Sequence, residues 1–210
     1  VLAASMFFSA SNFCSAAEES ANAKLARIEI DTYGAEQNGA ILDRISRLEK
    51  NYSGRNMTGN MNARIEAIYD TLYDNSASPG VLAKINVLEW NINHQVSSGG
   101  LDSRLITLES QVIGQSTEGT FNERIRALAR ATYGTETLPI AQVQIPMNTL
   151  IKVATTAPVS SKTLQAGDAI PIKVIGDVFV DDSLVFASGL TGEGAVENVR
   201  RAKHIFSNGK

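Results

Sequence analysis

Cysteine and histidine are scarce in this chain, and their scarcity limits its chemistry. Cys14 is the only cysteine among 210 residues, and His94 and His204 are the only histidines. Neither histidine stands at ligand spacing from a cysteine, or from a carboxylate on one helix face, so we predict no metal site. Beyond Cys14 the chain offers no cysteine for a disulfide or for a thiolate ligand.

The chain also lacks an excess of one charge and a long hydrophobic run. It carries 19 basic and 22 acidic residues, a net charge of −3, with no block of like charge. This balance predicts no nucleic-acid partner, because binding to phosphate backbones requires a basic patch. No stretch after residue 17 is apolar for long enough to form a transmembrane helix.

Catalytic motifs are missing as well. The chain has no Gly-x-Ser-x-Gly sequence and no phosphate-binding loop, and Gly192-x-Gly194 is not followed by a third glycine at the dinucleotide spacing. Asp181 and Asp182 are adjacent on a predicted turn, so their carboxylates point apart. We therefore predict a protein that is not an enzyme and that uses no cofactor.

The first seventeen residues differ from the rest. Residues 1–17 carry no charge, begin with an apolar run and end in Ser15-Ala16-Ala17 before Glu18. This pattern is typical of the hydrophobic region and cleavage site of a secretory signal peptide. The basic region that normally precedes it is missing, so we expect the signal to be incomplete at its N-terminus. The alternative is a buried first helix.

Residues 18–137 contain six copies of a 20-residue repeat. Each copy has one basic residue at the same position, and these six residues form what we call the basic ladder: Lys24, Arg44, Arg64, Lys84, Arg104 and Arg124. Apolar residues lie three before and one, four and eight after the basic residue. These offsets form one stripe along an α-helix, so we predict six helices of about 14 residues joined by loops of about six.

Capping residues recur with the same period. We place the N-caps six residues before the basic residue, with Ser78-Pro79 as the clearest example. We place left-handed C-caps at Gly34, Gly54, Gly114 and Gly134, with Asp74 and His94 in the equivalent positions of the middle copies.

A single apolar stripe must be buried against other helices, and two arrangements achieve this. The helices can turn back at each loop and stack as antiparallel pairs in an α-solenoid, which we favour because glycine or proline occurs twice in each period. Alternatively, the stripe forms an interrupted coiled-coil seam between chains.

The basic ladder is the candidate binding site. Four glutamates, Glu29, Glu49, Glu89 and Glu109, follow their basic residues by five positions. This offset is too far around the helix for a pair within one helix, so we expect salt bridges between neighbouring repeats. The other interpretation is a groove that binds an anionic polymer. Trp90 and the tyrosines at the repeat ends are expected to cap the apolar stripe rather than bind sugars.

The pattern changes after Gly134. Residues 138–144 read as a linker, and residues 145–210 as a small all-β barrel or sandwich-like module, so the fold class is α+β. We predict strands at 150–153, 169–175, 183–187 and 195–199, with turns at Gly167-Asp168 and Asp181-Asp182. Asn208-Gly209 is a hairpin signal without a second strand, so we expect this module to continue beyond residue 210.

The repeat, a basic residue followed by Ile/Leu-x-x-Leu-Glu and closed by Tyr33-Gly34, Ile113-Gly114 or Tyr133-Gly134, resembles repeats in exported envelope proteins of cyanobacteria and of Firmicutes with Gram-negative walls. The segment 145–178 resembles a small β module of bacterial envelope proteins. The resemblance implies a scaffold in the periplasm or at the cell surface, with other envelope proteins or its own copies as partners and peptidoglycan as a further candidate. The alternative function is a module that binds cell-wall glycan or another anionic polymer.

Overall fold

The computed structural model describes residues 19–199, and the predicted signal segment, Cys14 and His204 lie outside this range. Within these described residues six helices are followed by five short strands, which confirms the α+β class. The helices are α1 (Ala21–Tyr33), α2 (Ile41–Ser53), α3 (Met61–Tyr73), α4 (Val81–Asn93), α5 (Leu101–Val112) and α6 (Phe121–Tyr133); the strands are β1 (Val153–Thr155), β2 (Ala169–Val174), β3 (Val178–Val180), β4 (Ser183–Phe186) and β5 (Thr191–Ala195). None of these helices is long and apolar enough to cross a membrane.

The helices begin two residues later than predicted. Their N-caps lie four residues before the basic residue, at Ser20, Ala40, Asn60, Gly80, Gly100 and Thr120. The residue before the N-cap is a glycine in four copies (Gly39, Gly59, Gly99 and Gly119), with φ between 115° and 125°. A helix cannot include that conformation, so these glycines close the loop and the helix starts after them.

The predicted C-caps are mostly confirmed. Gly34, Gly54, Gly134 and His94 end their helices in the left-handed conformation. Asp74 was wrongly placed in that group, because its backbone is extended, with φ of −72° and ψ of 124°. In α5 the C-cap is Ile113, and Gly114 with φ of 88° comes one residue later.

Helices α1, α2 and α3 run parallel and form a closed group, which we call unit 1. Residues near their C-terminal ends bond to each other at the same level: the hydroxyls of Thr32 and Tyr52 are 2.8 Å apart, Asn51 donates to the Tyr33 hydroxyl over 3.0 Å, and the Tyr73 hydroxyl donates to Asp31. The connecting loops must therefore return along the full helix. Seven extended residues span about 23 Å, and a helix of this length spans about 20 Å.

Helices α4, α5 and α6 form unit 2, which stands end to end on unit 1. The N-terminus of α5 meets the C-terminus of α1, that of α6 meets α2, and that of α4 meets α3. At the α1–α5 contact, a Cβ on Gly100 would lie 2.5 Å from the Tyr33 carbonyl carbon. The rings of Tyr52 and Phe121, 5.0 Å apart, join α2 to α6.

The observed arrangement corrects both arrangements that we considered. The apolar stripes of all six helices share one core inside the chain, so they are not free to form a seam between chains. An open solenoid has contacts only between successive repeats, whereas α1 contacts α5 and α2 contacts α6. The cause is the return loop, which makes successive helices parallel instead of antiparallel.

The β module forms two small sheets, and its described residues 145–199 do not close into a barrel. One sheet has the antiparallel order β1-β2-β5, and β3 pairs with β4 in a hairpin. The hairpin tip at Asp181-Asp182 is confirmed, with φ of 51° at Asp181. Strands β2 and β4 lie where predicted, β1 and β5 are displaced by about three or four residues, and β3 was not predicted.

Candidate functional site

The four arginines of the basic ladder pair with the glutamate of the preceding repeat. Each arginine lies 15 residues after its glutamate and bonds through both Nε and a terminal nitrogen. The Nε distances are 2.9 Å for Arg44–Glu29, 2.6 Å for Arg64–Glu49, 3.2 Å for Arg104–Glu89 and 2.9 Å for Arg124–Glu109. This confirms the expected salt bridges between repeats.

The same glutamates also hold the return loops. The backbone N–H of Gln37 donates to Glu29 over 3.0 Å, and that of Ser97 donates to Glu89 over 2.9 Å. Met57 and Thr117 make the equivalent backbone bonds to Glu49 and Glu109. We call this unit of glutamate, loop N–H and following arginine the clamp, since it fixes one helix, its return loop and the next helix together.

The clamp is buried, and its hydrogen bonds lower the pKa of two of its glutamates, Glu49 and Glu109. The side chains of Glu29, Glu49 and Glu109 have no exposed surface. Hydrogen bonding from Arg64 lowers the pKa of Glu49. Burial alone would raise the pKa of Glu109, but bonds from Arg124 and Thr117 outweigh it and the pKa is lowered. Bidentate arginine–carboxylate geometry of this kind is strong and directional.

The two lysines of the ladder stand where the clamp is interrupted. Lys24 and Lys84 belong to the first helices of units 1 and 2. In the last repeat of each unit, the position that holds a clamp glutamate in the other repeats is occupied by Tyr69 in unit 1 and by Ala129 in unit 2. No loop returns after α3, because the chain steps directly to α4, and Asp74 is extended for that reason. The basic ladder therefore has a second period of 60 residues, because the order Lys-Arg-Arg occurs twice. The sequence contains this signal of two three-helix units, and our prediction missed it.

The lysines have different partners. Lys24 Nζ bonds to Glu66 of α3 at 2.6 Å and lies 5.2 Å from the centre of the Tyr69 ring. Lys84 Nζ bonds to Asn122 of α6 at 3.1 Å. Burial and the nearby charge of Arg126, which occupies the position of Glu66 in unit 2, lower the pKa of Lys84.

Replacing Arg126 by glutamate is therefore expected to stabilise the protein. The Arg126→Glu substitution removes a repulsion and offers Lys84 the partner that Lys24 has in Glu66, which should raise the free energy of unfolding by about 0.5–1 kcal/mol. Thermal unfolding followed by circular dichroism measures the change. Arg126→Gln separates the two effects, and a glutamate variant no more stable than the glutamine variant would contradict the pairing.

The ladder as a binding surface stays a prediction. The structure places Arg44, Arg64, Arg104 and Arg124 in the joints between repeats, with their side chains 8–14% exposed. It does not bring the six residues together in one open groove, because three belong to each of the two stacked units.

A second apolar face on α4 holds the β module. Val87 and Trp90 pack with Val96, Leu184 and Ala187. Trp90 Nε1 donates to Asp177 over 3.0 Å, and Asp177 also accepts the backbone N–H of Ser188 at 2.6 Å. A Cβ on Gly189 would overlap the carbonyl oxygen of Val96, so the module lies directly against the loop that follows α4.

The sequence carries a signal for this interface that we missed. Val87 and Trp90 lie three and six residues after Lys84, and the other copies carry mainly charged or polar residues at these two positions. Among the six helices of residues 19–199, only α4 therefore has two apolar faces. Trp90 was wrongly expected to cap the common stripe, because it packs against the β module instead.

The Trp90→Phe variant is expected to loosen the β module without unfolding the helices. Phenylalanine retains most of the packing but cannot donate to Asp177, which should weaken docking by about 1–2 kcal/mol. Limited proteolysis within 134–150 measures docking, and the cleavage rate should rise while the helical circular dichroism signal is unchanged. Tyr133→Phe is the matched control, and equal rates in the two variants would contradict this role of Trp90.

A cleft of about 1500 Å³ lies where units 1 and 2 meet the β module. Its walls include Arg27, Asp31 and Tyr69 from the helices and Gln142 and Glu193 from the other side. The rings of Tyr69 and Tyr73 pack in a tilted arrangement, with their centres 4.5 Å apart. The cleft mixes both charges with aromatic and amide groups, so its chemistry suits an uncharged polar chain better than an anionic polymer.

Within residues 19–199, no group of three or more histidine, cysteine, aspartate or glutamate side chains is placed to hold a metal ion. His94 packs edge-on against Trp90, with ring centres 5.4 Å apart. Its position is that of a helix C-cap.

No protein-family model, curated protein or solved structure matches the chain.

Proposed function

We propose that this protein is a non-catalytic scaffold of the bacterial cell envelope, in which the helical repeats position the β module for contacts with other envelope components. The clamp is the observation that carries the proposal. Four of the six repeats supply a clamp glutamate and four supply a clamp arginine, and each glutamate–arginine pair joins one helix to the next. The charged side chains that recur in the repeat thus hold the helices in a rigid arrangement.

The attachment of the β module supports the same function. The module is held by apolar packing on α4, by the Trp90–Asp177 bond and by a backbone bond of 2.8 Å from Val96 to Ser188. These contacts give it a defined position on the helical part instead of a free tether. A rigid arm carrying a module is what a spacer or scaffold requires.

The envelope location is supported by residues 1–17 and by the resemblance of the repeats to those of exported proteins. Fractionation of a Gram-negative host tests the location, with the chain expressed behind a start methionine and a short basic segment that complete the expected signal. We expect the protein in the periplasmic or cell-surface fraction, with Glu18 as its new N-terminus. The Phe7→Asp/Phe8→Asp variant should stay in the cytosol, because charge interrupts the hydrophobic region of a signal. A wild-type protein found in the cytosol would refute the proposal.

A second candidate, binding of cell-wall glycan, is favoured by the cleft, because aromatic rings and amides recognise sugars by stacking and hydrogen bonding. Sedimentation with purified peptidoglycan at low salt tests it. Retention that is lost in Tyr69→Leu but kept in Tyr133→Leu supports binding in the cleft, and the second variant controls for loss of a tyrosine elsewhere. No retention of the wild type rules this candidate out.

A further inference from the structure

The contact between the two units follows one rule at three positions. Residues at the N-terminal end of unit 2 (Val81, Leu101 and Phe121) are at most 2% exposed, and so are Thr32 and Leu72 at the C-terminal end of unit 1, with Tyr52 at 3%. Each set occupies the same repeat position in its unit, namely three residues before and eight after the basic residue. The unit 1–unit 2 contact is therefore an N-terminal end packed on a C-terminal end.

The two outer ends of the stack present the same positions, and residues 19–199 cover them only in part, with Leu138 after α6 packed against the helical core. Ala21, Ile41 and Met61 lie at the N-terminal end of unit 1, where Met61 is 36% exposed and the other two are partly exposed. Ile92, Val112 and Thr132 lie at the C-terminal end of unit 2 and are also partly exposed. The Thr132 hydroxyl is buried without a hydrogen-bond partner in the described part of the chain.

We propose that the protein associates head to tail, with the C-terminal end of unit 2 of one copy packed on the N-terminal end of unit 1 of the next copy. The partner is a second copy of this chain, because its unit 1 presents the end that fits and because the contact continues an interface already formed inside the chain. This proposal rests on the scaffold function and specifies how the scaffold extends.

The helix ends match across the proposed contact. Inside the chain, a Cβ placed on Gly54 at the end of α2 would lie 3.2 Å from the side chain of Thr120, which caps α6. Inside the chain each helix of unit 1 meets the helix one position further on in unit 2, so that α1 meets α5, α2 meets α6 and α3 meets α4. The same shift at the outer contact places α6 over α1 of the next copy, so left-handed Gly134 faces the cap residue Ser20. Helix C-termini then meet N-termini, and opposite ends of helix dipoles attract.

The outer contact is looser than the inner one. Gly80 and Gly100 allow close approach between the units, whereas Ser20 and Ala40 carry side chains at the equivalent positions of unit 1. Ala21 and Met61 are also smaller than Val81 and Phe121, which are their equivalents in unit 2. We therefore expect association that depends on concentration, in the micromolar range or weaker, rather than a permanent dimer.

Single substitutions at the two ends provide the test, with the mass in solution measured by sedimentation equilibrium on the full chain. The wild type should grow beyond a dimer as its concentration rises, because a head-to-tail contact leaves an open end. Met61→Glu blocks every N-terminal end and Val112→Glu blocks every C-terminal end, so each variant alone should be monomeric. Because each variant would bury one unpaired charge in the contact, the dissociation constant should rise at least about tenfold.

The mixture of the two variants distinguishes head-to-tail packing from any face-to-face dimer. Each variant retains one intact end, so an equimolar mixture should form dimers and stop there. Ile106→Glu, which alters a 41% exposed side chain on the flank of α5, should leave the wild-type behaviour unchanged. Circular dichroism confirms folding, and Asn93→Glu, at an exposed position of the same end, replaces Val112→Glu if that variant unfolds.

A wild type that stays monomeric at all concentrations overturns the proposal, and so does a mixture that fails to dimerise or an Ile106→Glu variant that behaves like Met61→Glu. A monomeric wild type leaves the envelope location untouched, because fractionation tests that part independently.

Discussion

The Arg64→Met variant is expected to lose about 3–5 kcal/mol of unfolding free energy at neutral pH, because removal of one partner leaves a buried charge uncompensated. Glu49 has no exposed surface, and Arg64 donates to its two oxygens over 2.6 and 2.7 Å. Met57 alone cannot neutralise the carboxylate. Urea unfolding followed by circular dichroism measures the loss.

The double variant Arg64→Met/Glu49→Gln separates the charge from the packing. Glutamine keeps an acceptor for the Met57 N–H and carries no charge, so most of the lost stability should return. Arg55→Met removes an exposed arginine from the loop after α2 and should change the stability by less than about 0.5 kcal/mol. An Arg64→Met loss no larger than that of Arg55→Met would show that the clamp does not stabilise the fold.

The clamp also predicts how stability depends on pH. The pKa of Glu49 is lower in the folded protein than the ordinary value of 4.5, so the folded state favours its charged form. The corresponding stability is fully present above pH 4.5 and is lost as the pH falls through the folded pKa. In Glu49→Gln this part of the acid-induced loss should disappear, and a pH profile identical to that of the wild type would contradict the assignment.

The Gly100→Ala variant is expected to cost about 3 kcal/mol, near the upper end for an overpacked site, because the added methyl meets backbone rather than a movable side chain. A Cβ at this position would lie 2.5 Å from the Tyr33 carbonyl carbon and 2.6 Å from the Gly34 nitrogen. The N-terminus of α5 must then move away from α1, which opens the contact between the two units. Chemical unfolding measures the cost.

Gly176→Ala is the matched control for this prediction. Gly176 has no neighbour within 4 Å of an added Cβ, so the substitution should be close to neutral. Equal losses in both variants would mean that the close approach of α5 to α1 is unimportant. A large loss in Gly100→Ala alone would confirm that the end-to-end contact sets the stability of the helical part.

The parts of the fold that were predictable depend on spacing along the chain. The apolar stripe, the number of helices and the pairing of Arg44 with Glu29 follow from a period of 20 residues and the geometry of one helix. The packing direction does not follow, because a loop of seven residues can either turn back at once or run the length of a helix. The bond from the Gln37 N–H to the buried side chain of Glu29 shows that the loop takes the second course.

The missed features arise where the copies differ. Tyr69 and Lys84 replace a clamp pair at the one place where the chain steps from unit 1 to unit 2, and Trp90 adds a second face to one helix. A repeat pattern that is defined by what all copies share does not show the positions at which one copy differs. The N-caps were misplaced because Ser78 and Asn38 have capping side chains, whereas the glycine that follows in most copies decides where the helix starts.

The return loops have a consequence for how the chain folds. Every helix must find a partner that lies a full repeat away, and at the contact between α1 and α5 Gly100 lies against Tyr33, 67 positions before it in the chain. Folding rates fall as the mean sequence separation of contacts rises. This all-helical array should therefore fold more slowly than an antiparallel bundle of equal size, at a rate closer to that of mixed α/β domains.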